Sequence, residues 1–233
     1  MTAARLVVAA AAVLAALAAT AGHARAADEC RGIPVCISVP GPWVVVAAPG
    51  AVTASPASSW LLRCPVGTIG GLDARLTRPE IDIAFDGLLG SPVSPGLTTS
   101  NAALFTGAYT GEPALATAFR PFIGCIPSAG GARTPTVFRP GHPTIARVRA
   151  VPIAAGRTAN VTFGCNPGER LVRSTRAVGI YGETAPSARD LGAVRLAGTV
   201  RDGRIVASAT RPALPGRRVE LQVVAICTRS LEK

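Results

Sequence analysis

Four carboxylates fall close together in this chain: Asp73, then Glu80, Asp82 and Asp86. Two carboxylates flanking a sugar linkage can act as acid and base, or acid and nucleophile, in glycoside hydrolysis. Several together can instead ligate calcium through oxygen. The run Glu80-Ile81-Asp82-Ile83-Ala84-Phe85-Asp86 alternates polar and apolar residues, however. Period-two patterning predicts a half-buried strand with the acids on its wet face. The stretch expected to correspond to it later in the chain, around Tyr181 to Arg189, holds Glu183 but no such cluster.

Other catalytic constellations find few residues to work with. A serine triad needs a histidine. His23 falls in an expected targeting segment, and His142 stands in the turn Pro140-Gly141-His142-Pro143. No Gly-x-Ser-x-Gly elbow occurs, and the only lysine is Lys233 at the last position, which leaves none for a Ser-Lys dyad or a Schiff base. Gly67-Thr68-Ile69-Gly70-Gly71 lacks the spacing and the lysine of a phosphate-cradling loop. A zinc site would want Cys-x-x-Cys or a nearby histidine, and neither exists. The expectation is a non-catalytic protein without metal or cofactor. Exposed aromatics could still form a sugar platform, with Trp43, Trp60, Tyr109 and Tyr181 to choose from. Trp60 shares the parity of Cys64 and is expected in the core. Trp43 follows Gly41-Pro42 and precedes Val44-Val45-Val46, where it would cap a strand. Glu80, Asp82, Asp86 and Trp43 are therefore the candidate binding residues.

Charge offers another kind of partner. The chain carries a formal +11, and removing Arg5 and Arg25 with a signal segment leaves 22 basic against 13 acidic residues, a surplus of 9. Such a surplus can hold an anionic cell-envelope polymer, and another surface protein is the other expected partner. The arginines are scattered, Arg217-Arg218 being the only adjacent pair, so no specific nucleic-acid partner is expected. Arginine in place of lysine, with abundant Ala, Gly and Pro, also matches codon usage in a GC-rich genome.

The elements that would position these residues begin with export. Residues 1–26 read as a signal peptide: Arg5, an apolar run over 6–19, and the small-x-small site Ala24-Arg25-Ala26. The run is shorter than the ~20 residues a membrane span needs, and no later stretch is long enough, so a soluble, secreted protein is expected. In an oxidising compartment six cysteines imply three disulfides. Cys30 and Cys36 bracket a Gly- and Pro-containing loop.

The other four cysteines mark a duplication. Cys64 and Cys125 lie 61 residues apart, Cys165 and Cys227 lie 62 apart, and the pair recurs after 101 and 102 residues. Pro40-Gly41 is echoed by Pro140-Gly141. A common offset at three landmarks predicts a tandem repeat and pairs Cys64 with Cys125 and Cys165 with Cys227. Parity supports this: Val219, Leu221, Val223 and Ala225 share the face of Cys227, residues 159–165 alternate likewise, and so do Trp60, Leu62 and Cys64, and Leu115, Phe119, Ile123 and Cys125. Strands are further expected over 102–109, 114–123, 194–200 and 205–210, with Arg201-Asp202-Gly203 as a hairpin turn. Gly87 to Ser100 reads as a long loop and Ile126 to Pro143 as a semi-rigid linker.

The segments Gly168-Glu169-Arg170-Leu171-Val172, Pro186-Ser187-Ala188 and Val219 to Cys227, with Cys64-Pro65-x-Gly67, resemble those of exported cysteine-containing β-repeat proteins of GC-rich actinobacteria, a group without an assigned activity. The resemblance covers most of the mature chain and implies the compartment; it supplies no site residues.

The expected architecture is all-β: two tandem disulfide-stapled β-sandwich repeats, with cysteine spacing compatible with an immunoglobulin-like pair. A first repeat over 27–133 carries the small disulfide loop, and a second spans 134–233. The expected function is a secreted non-catalytic binding or structural protein of the cell surface. The rival is an extracellular glycan hydrolase using Glu80, Asp82 and Asp86.

Overall fold

The computed structural model describes residues 30, 32–46, 57–87, 101–111, 116–127, 141, 143–211 and 213–229. The signal segment, His142, Leu115, nearly all of the 87–100 loop and the middle of the 126–143 linker, with the boundary at 133/134, lie outside the described residues.

Within them the chain is all-β. The first half contains β1 (Ile37–Pro40), β2 (Trp43–Val46), β3 (Ala57–Arg63), β4 (Thr68–Leu76), β5 (Ile81–Gly87), β6 (Ala102–Tyr109) and β7 (Thr117–Ile126). The second contains β8 (Thr144–Pro152), β9 (Thr158–Gly164), β10 (Glu169–Ile180), the short helix α1 (Ala188–Gly192), β11 (Arg195–Arg201), β12 (Arg204–Thr210) and β13 (Val219–Arg229). The turn between β11 and β12 has the residues its geometry demands. Asp202 and Gly203 both take positive φ, 49° and 70°, the two-residue turn whose twist matches that of the flanking strands. Arg201 and Arg204 close it as a register pair.

One antiparallel seven-stranded sheet runs through both halves. β4 lies along one edge of β7, from Thr68↔Ile126 to Leu76↔Phe119. β1 takes the first part of the other edge, with Ile37 opposite Cys125, and β2 continues along it, with Val44 opposite Phe119. Between β1 and β2 the Gly41 N–H donates to the Pro121 carbonyl at 2.8 Å. β2 then pairs on its far side with β10, Trp43 opposite Ile180, and β13 and β8 complete the sheet. The short strand β2 thus joins the first half edge to edge to the second.

Two three-stranded sheets, β3-β6-β5 and β11-β12-β9, pack on this sheet. Their positions follow from the parity of β10. Ala177 packs with Trp60 and Phe105 of the first small sheet's cluster, whereas Val178 and Ile180 pack with Ile205, Ala207 and Ala209 of the second. Successive strand residues point to opposite faces, so the small sheets lie on opposite sides of the large one. The first small sheet is itself covered twice. Trp60 and Phe105 face β7, while Leu61 and Leu104 meet Val224 and Ile226 of β13. Full burial of a Leu, Ile or Phe contributes roughly 1.5–3 kcal/mol, and this arrangement buries β7 and β13 on both faces.

Alternation in β13 predicts half-burial, and there the structure differs. Glu220 and Gln222, on the face away from Cys227, are 8% and 5% exposed. Gln222 lies against Leu61 of the first half's small sheet, and Glu220 is held by Tyr181 and Arg218.

The disulfides pair Cys30 with Cys36, Cys64 with Cys125, and Cys165 with Cys227. Each long bridge ties a small sheet to the large one, just past the end of β3 or β9. On the chain-entropy account a loop of this size contributes about 4 kcal/mol. The two halves also share a pairing order: β4-β7-β1 with β3-β6-β5 is matched by β10-β13-β8 with β9-β12-β11. In both, a register shift follows the bridged cysteine, between Ile69 and Gly71 opposite Cys125 and between Leu171 and Arg173 opposite Cys227.

Candidate functional site

Asp82 and Asp86 do not converge. Asp82 and Asp86 sit on β5, on the face opposite Ile81, Ile83 and Phe85; Asp82 is exposed and Asp86 half-buried. Four residues of extended strand separate them by about 13 Å, beyond the ~5–9.5 Å that glycosidase carboxyl pairs need. Asp86 is turned instead to Arg173 on β10, at 3.5 Å. Glu80 is exposed before the strand, and its carbonyl accepts from the Thr110 N–H and hydroxyl. Asp73 is on β4, in the other sheet, opposite Phe122.

The aromatic candidates are occupied by packing. Trp43 is 6% exposed and belongs to the second half's core, with its indole nitrogen buried. It is not a surface platform, because β2 is an interior strand of the large sheet, which the Gly-Pro before it did not reveal. Trp60 and Tyr109 are buried as well. Tyr181 is half-buried, edge-on to Trp60 with ring centroids 6.5 Å apart.

Tyr181 belongs to a polar seam between the halves. Its hydroxyl donates to Glu220 at 3.0 Å, and the Arg218 guanidinium stacks 4.7 Å over its ring while also bonding Glu220. Burial foremost, then the Glu220 charge, pushes the Tyr181 hydroxyl up to about 12. Across the seam the buried Arg120 of β7 donates to the Gly41 carbonyl at 3.1 Å and the Glu183 carbonyl at 3.1 Å, and forks to the Glu183 carboxylate. Its charge is thus partnered where burial alone would be costly.

Beyond the seam the strand ends of the second half gather three loops: 153–157, 181–194 and 211–218. Pro152 of β8 lies opposite Glu220 and Ile180 of β10 opposite Val219, while Thr210 of β12 is flanked by Thr158 of β9 and Arg195 of β11. The loops are tied by Arg211 N–H to the Arg157 carbonyl, Arg211 Nη1 to the Arg217 carbonyl at 2.8 Å, and Arg217 Nη1 and Nη2 to the Thr184 carbonyl and hydroxyl. Arg157, Arg189, Arg195, Arg211 and Arg217 all stand here, and among the described residues none of them has a carboxylate partner. The acids of this end are engaged: Glu183 by Arg120, Glu220 by Arg218 and Tyr181, and Asp190 by the Ser187 cap of α1. Sequence reading missed this grouping, since residues 157, 195, 211 and 217 meet only through topology. The Arg217-Arg218 pair in a Pro- and Gly-rich turn was its one local sign.

At the opposite end Arg147 of β8 forks to Glu169 of β10, which also accepts from the Asn166 N–H at 3.0 Å. The Arg147 hydrogen bond holds the Glu169 carboxyl below the usual carboxylate range. Glu169 lies beside Cys165 and Cys227, but both sulfurs are spent in their disulfide, so this group is not a metal site.

Comparison with protein-family models, with curated proteins and with solved structures gives no match.

Proposed function

We propose that the protein is a secreted, non-catalytic binding protein that acts at the cell surface or outside the cell, holding an anionic partner on a duplicated, disulfide-stapled β frame. The observation that carries this reading is the partition of arginines. Arg120, Arg147, Arg173 and Arg218 are held in ion pairs, and of the described arginines that are not, five gather at one end of the second half. Three disulfides fit an oxidising compartment, and no helix among the described residues is long and apolar enough to cross a membrane. The matched pairing orders and register shifts of the two halves support the tandem duplication, with repeats over 27–133 and 134–233, as does the resemblance to exported β-repeat proteins of actinobacteria. The hydrolase reading finds no support in the placement of Asp82 and Asp86.

The test is retention of the mature protein on its own isolated cell envelope at low and at roughly half-molar salt. Retention that survives high salt, where charge attraction is screened, is the expected result and marks a specific surface ligand. Retention lost with salt reduces the basic surplus to nonspecific attraction.

A further inference from the structure

We infer that the loop end of the second half, around Arg157, Arg211 and Arg217, is a binding site for phosphate groups carried on an anionic polymer. This rests on the binding reading above and gives it a place and a ligand chemistry.

Arg211 is the anchor. It is 7% exposed, its Nε is buried without an acceptor, and among the described residues no carboxylate meets it. Among the described residues its single side-chain hydrogen bond goes to a neutral carbonyl, that of Arg217. Arginine stays charged inside proteins, and an uncompensated buried charge is costly. An external anion offsets that cost. The same hydrogen bond, with those from Arg217 to Thr184, fixes the loop that presents Arg217, while Arg157 is exposed and joined through its carbonyl to the Arg211 N–H. Positive charge concentrated at one end of the fold raises the local concentration of an anion there. Guanidinium forks match phosphate oxygens two at a time, as ammonium groups cannot. The same fork also takes a carboxylate. A phosphate group, however, presents three acceptor oxygens and more charge, so it is the anion that several arginines can share, and phosphate is favoured over an isolated carboxylate.

The probe is inorganic tripolyphosphate, titrated into the mature protein by calorimetry, with poly-glutamate in a parallel arm. The double variant Arg157→Gln/Arg217→Gln keeps the Arg211 side chain and the Arg217 carbonyl that accepts from it. It is expected to bind tripolyphosphate at least tenfold more weakly. The double variant Arg149→Gln/Arg170→Gln removes the same charge from exposed positions on β8 and at the start of β10, and is expected to change binding less than twofold. Equal weakening by both doubles overturns the site in favour of overall charge. Poly-glutamate binding as tight as tripolyphosphate, per charge, overturns the phosphate chemistry. If tripolyphosphate does not bind while envelope retention at high salt persists, this site falls and the binding reading stands.

Discussion

The side-chain amide of Gln222 stands in for a neighbouring strand against Leu61. Its Oε1 accepts from the Leu61 N–H at 2.6 Å and its Nε2 donates to the Leu61 carbonyl at 3.4 Å. Among the described residues β3 is an edge strand of its small sheet, so these backbone groups have no strand partner there, and burial denies them water. The amide, which carries both an acceptor and a donor, satisfies them from β13 in the other half of the chain.

Replacing Gln222 with Leu keeps the volume and removes both hydrogen bonds. Orphaning buried donors and acceptors costs about 1–3 kcal/mol, so urea unfolding is expected to lose that much stability with its slope unchanged. A midpoint equal to the parent's means that the amide is incidental.

The seam also depends on the absence of a side chain. A Cβ on Gly179 meets the Trp60 ring at 2.6 Å and Pro42 at 2.6 Å. The ring is buried and Pro42 is held between β1 and β2, so neither yields cheaply. Gly179→Val is expected to cost roughly 1–3 kcal/mol through overpacking and to alter the near-ultraviolet circular dichroism of Trp60. A variant as stable as the parent shows that the halves can separate here without loss.

Much of this framework was legible in the sequence. Alternation from Val219 to Cys227 named the core face of β13, the common cysteine offset gave the bridges, and Asp202-Gly203 gave its turn. What escaped has one cause: period-two patterning separates the faces of a strand without saying what lies against each. Glu220 and Gln222 carry polar groups on the face opposite the cysteine, yet Gln222 is buried against β3 and Glu220 beside Tyr181 and Arg218. Trp43 was misplaced for the same reason, since nothing local shows that β2 is bordered on both edges. The arginine end is less legible still, because five residues spread over sixty positions are brought together only by strand ends.

Acid stability is expected to turn on Arg147 and Glu169. The Glu169 carboxyl is depressed in the folded chain, chiefly by the Arg147 hydrogen bond. A depressed carboxyl contributes stability that is present above its unfolded value, 4.5, and is lost as pH falls through the folded value. The urea midpoint should therefore fall as pH drops below about 4.5, and Glu169→Gln should flatten that dependence. An unaltered slope in the variant assigns the acid sensitivity elsewhere.

At the alkaline limit the sign reverses. The Tyr181 hydroxyl is raised from 10.0 to about 12, first by burial and then by the Glu220 charge and hydrogen bond. A raised group stabilises the fold fully below its unfolded value, and that contribution is lost as pH rises through the folded one, here between 10 and about 12. Ionisation places a phenolate against the Glu220 carboxylate at the seam between the halves, so the loss is expected to loosen the contact with Trp60. In a Tyr109→Phe background the remaining phenolate absorbance should rise near pH 12, accompanied by a change in Trp60 fluorescence. Tyr181→Phe keeps the ring against Trp60 and removes the ionisable group. Its stability is therefore expected to decline less between pH 10 and 12 than the parent's. If the phenolate appears near pH 10 instead, the hydroxyl is open to water and the seam does not close around it.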